Sequence, residues 1–449
     1  MQIIEKAREI VEFIKKHDNV HIVTHLDADG ICAGAIAVKT LERLGKDFDI
    51  SFVKQVDEVS IEDVLNKNPD VIWFTDLSIN IDIDFDNIVV TDHHSTVKRY
   101  RYSLNPHDFG LDGCVGLSGA GATYIVSKSM DVKNEDLSHL AVIGACGDLQ
   151  DRRERKLVGL NRDILNDAIS VGLINVIKDI QYFGRESKPV FRLLLYADDP
   201  VIPGVSGSEE ACISFLTNLG LSRKEIYRKW VELSKEKKRK ILSEIARRLL
   251  DKGFGSKSIR RLIGEVYLLD NEKEGTELHD SREFATLLNS TARYGRPDIA
   301  LKLCLGEKES SFREARKFLN NHRQTLSRGL QLARTKIEKR KILNYFHVGN
   351  RVRDTVVGSI TSILSKEFSS LPLIGFADGE NGHVKVSARY RDGGEIDLSR
   401  AIYLAASSVG GTGGGHRYAA GALIPKGTEE IFLDALEKEI NCQLSSDVL

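Results

Sequence analysis

Cysteine is scarce and scattered in this 449-residue chain: Cys32, Cys114, Cys146, Cys212, Cys304 and Cys442 show no short paired spacing. That excludes a thiolate zinc site and argues against a disulfide framework. No apolar run approaches the roughly 18 residues that a membrane span needs. The N-terminal segment MQIIEKAREIVEFIKKHDNV mixes acids and bases along an amphipathic helix, unlike a secretory signal. The protein is therefore expected to be soluble and cytoplasmic, with no membrane partner. Charge of one sign is also missing: 64 Lys and Arg stand against 65 Asp and Glu, a net charge of −1, so any surface for nucleic acid must be local. Only 8 prolines and 2 methionines, beside abundant Lys, Arg and Glu, lean towards a heat-adapted source.

What is present is a folding composition, 41% hydrophobic and 29% charged, with length for two or three domains. The first 150 residues alternate short apolar strands (His21–Thr24, Asp49–Val53, Val71–Phe74, Ile88–Thr91) with helical stretches at Ile31–Leu44, about Ser118–Ser129 and Leu137–Ala145. Strands buried on both faces and joined by helices predict a parallel sheet, whose ligands bind beyond the carboxyl ends of the strands. The middle is helical and basic. Arg223–Arg261 holds fifteen Lys/Arg against five Asp/Glu, and Ser311–Lys341 ten against two. The second stretch reads as a long connecting helix. From about Asn344 short strands and glycine-rich turns return, as a smaller α/β domain with a glycine-rich loop. The expected division is 1–190, 191–343 and 344–449.

Four acidic clusters sit at predicted strand or helix ends: His25-Leu26-Asp27-Ala28-Asp29-Gly30, Asp76 in TDLS, Asp92-His93-His94, and Asp148 in GACGDLQD. On an extended segment His25, Asp27 and Asp29 would point the same way. One Asp after a strand is commonly a turn residue or a helix cap. Four such clusters on one sheet repel one another unless a cation intervenes, and carboxylates with imidazoles suit Mn²⁺ or Mg²⁺. Near the C-terminus, Gly410, Gly411, Gly413, Gly414 and Gly415 would bring bare amides to a ligand as an anion nest, followed by His416, with Arg389 on a neighbouring strand. No G-K-[ST] ends the run, which excludes a P-loop.

HLDADG, TDLS, TDHHST and GDLQD, in that order, resemble the four motifs of the DHH phosphoesterase superfamily. GGGHRYAAG at Gly413–Gly421, preceded by VSAR at Val386–Arg389, is similar to the signature of the DHH-associated C-terminal domain. NPH at Asn105–His107, the helical middle and EFATLLNSTARYGRPDIALKLCLG resemble archaeal RecJ-like nucleases. The resemblance implies that His25, Asp27, Asp29, Asp76, His93 and Asp148 hold two Mn²⁺ ions, with Mg²⁺ a possible substitute and Asp76 the bridge. Asp92 would orient a histidine, and His94 would contact the scissile phosphate or protonate the leaving oxygen. Arg389, His416, Gly413, Gly414, Gly415 and, more weakly, Ser387 and Arg391 would hold remote phosphates across an interdomain cleft. The expected activity is two-metal hydrolysis of single-stranded DNA or RNA by an exonuclease of replication or repair. The alternative is a phosphodiesterase of cyclic dinucleotides or short oligonucleotides. The middle segment would dock a replication complex such as GINS, or a repair helicase.

Overall fold

The computed structural model describes residues 2–79, 81–95, 98–365, 371–379, 382–390 and 396–446. Two compact units divide the chain, Met1–Arg316 and Lys317–Leu449. Among the described residues no helix is long and apolar enough to cross a membrane.

The first unit begins with α1 (Gln2–Lys15), β1 (Asn19–His25), α2 (Ala28–Leu44), β2 (Asp47–Val53), α3 (Glu58–Leu65), β3 (Val71–Thr75), β4 (Ile88–Thr91) and β5 (Tyr102–Leu104). The five strands form one parallel sheet in the order β2-β1-β3-β4-β5. Its register aligns Thr24 with Thr75, Thr75 with Thr91, and Thr91 with Leu104. The residues after these positions, His25, Asp76, Asp92 and Asn105, therefore emerge along one edge of the sheet. Behind that edge lie α2, α4 (Gly119–Met130) and α5 (Ser138–Gly147), which pack on one another. Their glycines and alanines permit this closeness: a Cβ on Gly34 would come within 3.0 Å of Thr24 and 3.1 Å of Ile50.

One local expectation changes. The extended segment expected to carry His25, Asp27 and Asp29 ends at Asp27, because the Asp27 side chain accepts the Gly30 N–H and α2 starts at Ala28. Asp27 is thus the N-cap and Asp29 lies in the first helical turn, where a carboxylate complements the free amides and the dipole. Ser118 caps α4 as the pattern predicts.

After α6 (Leu160–Ser170), β6 (Ile174–Ile180) pairs antiparallel with β7 (Ile263–Leu269). Between them α7 (Val190–Leu195), α8 (Glu209–Asn218), α9 (Arg223–Ile226), α10 (Lys235–Asp251) and α11 (Ser256–Arg260) enclose an apolar core that includes Phe191, Trp230, Ile241 and Leu249. Of the basic run on α10, Lys237 is ion-paired with Glu225 and Lys238 lies 5.8 Å from the Trp230 ring, while Arg239 and Lys240 are exposed. Next, α12 (Ser281–Ala292) packs on α2 and α5, and α13 (Pro297–Cys304) on α2 and α12, before the long α14 (Glu309–Thr335). Part of the middle segment is thereby built into the body that carries the sheet.

The second unit contains β8 (Glu338–Lys339), β9 (Asn344–His347), α15 (Asp354–Leu364), β10 (Leu373–Asp378), β11 (His383–Arg389), α16 (Leu398–Ser408), β12 (Thr412–His416), β13 (Ala419–Pro425) and α17 (Glu429–Ser446). Its mixed sheet runs β12-β13-β11-β10-β9-β8. Side chains alternate along β10: Leu373 and Ala377 join the core with α15, and Ile374 and Phe376 the core with α16 and α17.

Candidate metal centre

The sheet register and the two helix ends bring every acidic cluster together. His25 Nδ1 lies 3.1 Å from Asp27 Oδ2 and 3.6 Å from Asp76 Oδ2. His93 Nε2 lies 3.1 Å from Asp148, 3.3 Å from Asp76 and 3.9 Å from Asp29. Three triplets have ligand atoms within 4.8 Å of one another: His25/Asp27/Asp76, Asp76/His93/His94 and Asp29/His93/Asp148. Asp76 and His93 each belong to two of them, so both stand centrally.

The ring of His93 has a fixed orientation. Its Nδ1 is 2.8 Å from the Gly113 carbonyl oxygen, to which only an N–H can donate. A neutral His93 therefore turns the Nε2 lone pair towards three carboxylates, and that nitrogen is buried without a hydrogen-bond partner. Both Asp76 oxygens are buried and unpartnered as well. Such a set is stable only if a proton or a cation lies among the groups. Without a cation, the neighbouring charges shift the proton affinities of the group. Burial alone would lower His25, but the carboxylates of Asp27 and Asp76 raise it to about 11. His93 shows the same contest, with burial outweighed by Asp148, Asp76 and Asp29, and it too is raised. Asp29 is pushed well up by burial and by the charges of Asp76 and Asp148, while Asp27, despite burial, is lowered to about 2 by His25. Burial also raises Asp148, partly opposed by His93.

Backbone geometry fixes these groups. Asp76 has φ 56°, a left-handed conformation that few non-glycine residues adopt, and its N–H donates to the Thr91 carbonyl at 2.8 Å. The Asp29 carboxylate accepts Gly119 N–H at 2.7 Å and Ala120 N–H at 3.1 Å, so it sits on the amino end of α4. A Cβ on Gly119 would collide with Asp76 Oδ1, and one on Gly144 with Asp29 Oδ1. His94 stands apart as the half-exposed member: its Nδ1 donates to Asp92 Oδ1 at 2.7 Å, and that bond to Asp92 is the main cause of its raised pKa. Asn105 Nδ2 donates to the His94 carbonyl.

Several groups at this site escaped the motif reading. Asn289 on α12 accepts the Ala28 N–H at 2.9 Å, from 261 residues away along the chain. The Arg293 guanidinium is lowered by burial, and Asp27 is close enough to oppose that shift. Gln150 donates to the Gly113 carbonyl and accepts from Asn161, holding the loop that orients His93. Only Gln150 lay inside a motif, in GDLQD. Asn289 and Arg293 lay in the RecJ-like stretch without an assigned role.

In the second unit Arg389 and Ser387 are neighbours on β11, with Arg389 Nη1 3.2 Å from Ser387 Oγ and 2.8 Å from the Ala388 carbonyl. Burial lowers the Arg389 pKa. The glycine run is a turn only up to Gly411. Gly413, Gly414 and Gly415 lie in β12, where successive amides alternate sides and do not converge as a nest. A Cβ on Gly413 would lie 3.1 Å from Ala406 and Ile402, and Gly415 has φ 139°, so both have structural reasons to be glycine. Gly414 faces open space. His416 ends β12, but its side chain and the whole of Arg391 lie outside the described residues.

Comparison with known proteins agrees with this architecture. The DHH-CID domain matches residues 182–263 and the DHHA1 domain residues 340–442. An uncharacterized protein of Methanocaldococcus jannaschii is 28% identical, over 98% of each chain. Exonuclease RecJ bound to manganese superposes with a TM-score of 0.60 at 16% identity, over 98% of this chain and 94% of that one. CDC45 from Entamoeba histolytica does so with a TM-score of 0.68 at 12% identity, over 96% and 97%. At these identities the two structures speak for the fold. The chain has the DHH/DHHA1 domain architecture and the fold of RecJ-type exonucleases, with clusters suited to divalent cations.

Proposed function

We propose that the protein is a divalent-metal-dependent phosphodiesterase that hydrolyses single-stranded DNA or RNA from an end, in replication or repair. The observation that carries this reading is the His93 nitrogen, locked by Gly113 so that its free face meets Asp29, Asp76 and Asp148. Oxygen and imidazole donors with unpartnered buried atoms fit Mn²⁺ or Mg²⁺. His25, Asp27, Asp29, Asp76, His93 and Asp148 would hold two such ions. Bound there, the cations would offset phosphate charge and activate water for in-line attack.

The rest of the chemistry belongs to the chain. His94, aligned by Asp92, keeps its Nε2 for a phosphate oxygen or for delivering a proton to the leaving oxygen. The bond to Asp92 raises its pKa, which favours the protonated ring. No side chain needs to act as a covalent nucleophile. Cys146, nearest in sequence to Asp148, is buried with its thiol pushed up, which suits packing. Arg389, Ser387, His416 and Gly413–Gly415 would contribute contacts to phosphates remote from the cut. The likeness in fold to CDC45 and the exposed bases of α10 support a further role in docking a replication complex such as GINS, or a repair helicase.

The test is digestion of end-labelled single-stranded DNA and RNA with Mn²⁺, beside cyclic di-AMP and pApA. Stepwise shortening of the strands, lost in chelator and in Asp76→Asn, is the expected result. Cleavage confined to the two small substrates would replace the reading with that of a small-substrate phosphodiesterase. No cleavage of any phosphodiester would remove both.

A further inference from the structure

We propose that a cavity beside Asp148 is a nucleobase subsite, taking the base of a nucleotide that flanks the scissile phosphate. The inference rests on the phosphodiesterase reading above and deepens it. The cavity holds about 220 Å³ within the first unit, between the carboxyl end of α5, the segment Gln181–Arg185 and α12. None of the six candidate ligands lines it, but two of its wall residues touch the backbone that carries Asp27, Asp29 and Asp148. Gly147, in its wall, precedes Asp148, and a Cβ there would stand 3.7 Å from the Asp29 nitrogen. Asn289, also in its wall, takes the Ala28 N–H between Asp27 and Asp29.

Leu149 is the unusual residue of this wall. It follows Asp148 directly, has φ 59° and is 50% exposed. A leucine rarely adopts that backbone conformation. Gln150, buried and bonded to Gly113, Leu117 and Asn161, holds the turn in place. The backbone is therefore constrained to present an apolar side chain beside a candidate metal ligand. Half-buried Phe183 lines the same cavity, with the Lys188 ammonium 4.4 Å from its ring centroid.

The polar lining is largely engaged within the protein. Arg282 is bonded to Asp151 and the Gln181 carbonyl, Arg185 to Asp179 and Glu186, and Glu283 to the Glu186 N–H and Ser187. Arg152, more exposed than either, pairs with Asp198. Such a cavity offers faces for stacking but few edge contacts that distinguish one base from another. Its volume is below the roughly 300–1,000 Å³ of pockets that enclose a whole small-molecule ligand, and suits a single base. Sequence-tolerant stacking of this kind is common where proteins hold single strands.

The experiment uses the full chain with Mn²⁺ and short single strands in which one abasic residue is stepped through the positions nearest the cut end. Removing the base at one position should lower kcat/KM by about 5- to 100-fold, while exchanging the four bases there should change it by less than about threefold. Leu149→Gly, which relaxes the left-handed backbone and should fold as the parent does, should erase most of the abasic effect, and Phe183→Ala should reduce it. Cleavage of intact and abasic strands at equal rates overturns the subsite and leaves the phosphodiesterase reading standing. Unchanged discrimination in Leu149→Gly overturns it too. If no strand is cut, that broader reading falls. The anisotropy of the same labelled strands, measured without turnover, then decides the subsite: an abasic defect that disappears in Leu149→Gly supports it, and equal affinities remove it.

Discussion

Asp29 and Asp76 are neighbouring acids with unequal expected effects on folding, and their substitution tests the electrostatic account of the centre. In Asp29→Ala the Gly119 and Ala120 amides lose their acceptor inside the protein. Each orphaned donor costs about 1–3 kcal/mol, and loss of an anion at a partly buried helix end costs up to about 2 kcal/mol. Removing a carboxylate whose pKa burial has already raised returns part of this. The net expectation is a loss of about 2–5 kcal/mol, or about 5–15 °C at the few degrees per kcal/mol of a large domain. In Asp76→Asn neither side-chain oxygen had a hydrogen-bond partner to lose, and asparagine tolerates the left-handed backbone. The change gives up attraction to His25 and His93 at 3.6 and 3.3 Å but relieves repulsion on Asp29 and Asp148. These opposed terms partly offset each other, so Asp76→Asn should be less destabilised in chelator than Asp29→Ala. Both tryptophans, Trp73 and Trp230, lie in the first unit, so their fluorescence follows its unfolding. Mn²⁺ at a hundred times its dissociation constant should stabilise the parent by about 2.7 kcal/mol and either variant far less. The reasoning fails if Asp76→Asn unfolds in chelator as early as Asp29→Ala, or if Mn²⁺ protects Asp76→Asn as it does the parent.

Asp92→Asn removes the main cause of the raised His94 pKa, so the alkaline limb of the activity profile should move to lower pH and kcat should fall by about 10- to 100-fold; an unmoved limb would rule His94 out as the proton donor. Burial and the charge of Asp280 raise Glu283 from 4.5 to about 7, so its protonated form favours the fold below pH 4.5 and that contribution is lost as pH rises through 7. Glu283→Gln should therefore gain up to about 3 kcal/mol on the parent between those pH values in denaturant titrations, and a constant difference would contradict the assignment. Gly144→Ala places a methyl group against Asp29 Oδ1 and 2.8 Å from Ala120 Cβ. A loss of about 1–3 kcal/mol together with weaker Mn²⁺ binding is expected, and calorimetry showing parental affinity would refute the close approach. Arg389→Ala should raise KM for single strands while Mn²⁺ binding stays intact, and unchanged kinetics would leave Arg389 a structural role.

Much of this was legible in the chain because its signals are local. Four strands of the N-terminal sheet, the Ser118 cap and the ordered motifs at His25–Gly30, Asp76, Asp92–His94 and Asp148 depend on apolar runs, caps and short spacings, and the structure contains all of them. The extended reading of residues 25–29 failed on a local competition: Asp27 satisfies an orphan amide as an N-cap, so the helix starts earlier and Asp29 reaches the amino end of α4. Composition alone suggests a loop for the glycines after Thr412, because it does not distinguish a flexible turn from a strand that must admit the side chains of Ala406 and Ile402.

The sequence by itself determined which residue types occupy the ends of the strands, since hydrophobic period and turn chemistry act over a few residues. Only the tertiary structure decided how those ends meet. The strand order β2-β1-β3-β4-β5 and its register set His25, Asp76 and Asp92 side by side, and no spacing along the chain encodes that alignment. Nor does spacing reveal that Gly119 and Gly144 leave room for two carboxylates, that Gly113 turns the His93 ring, or that Asn289 returns to hold the start of α2. These relations arise when the sheet and its helices close around one volume, because packing and hydrogen-bond satisfaction are then settled among residues far apart in sequence.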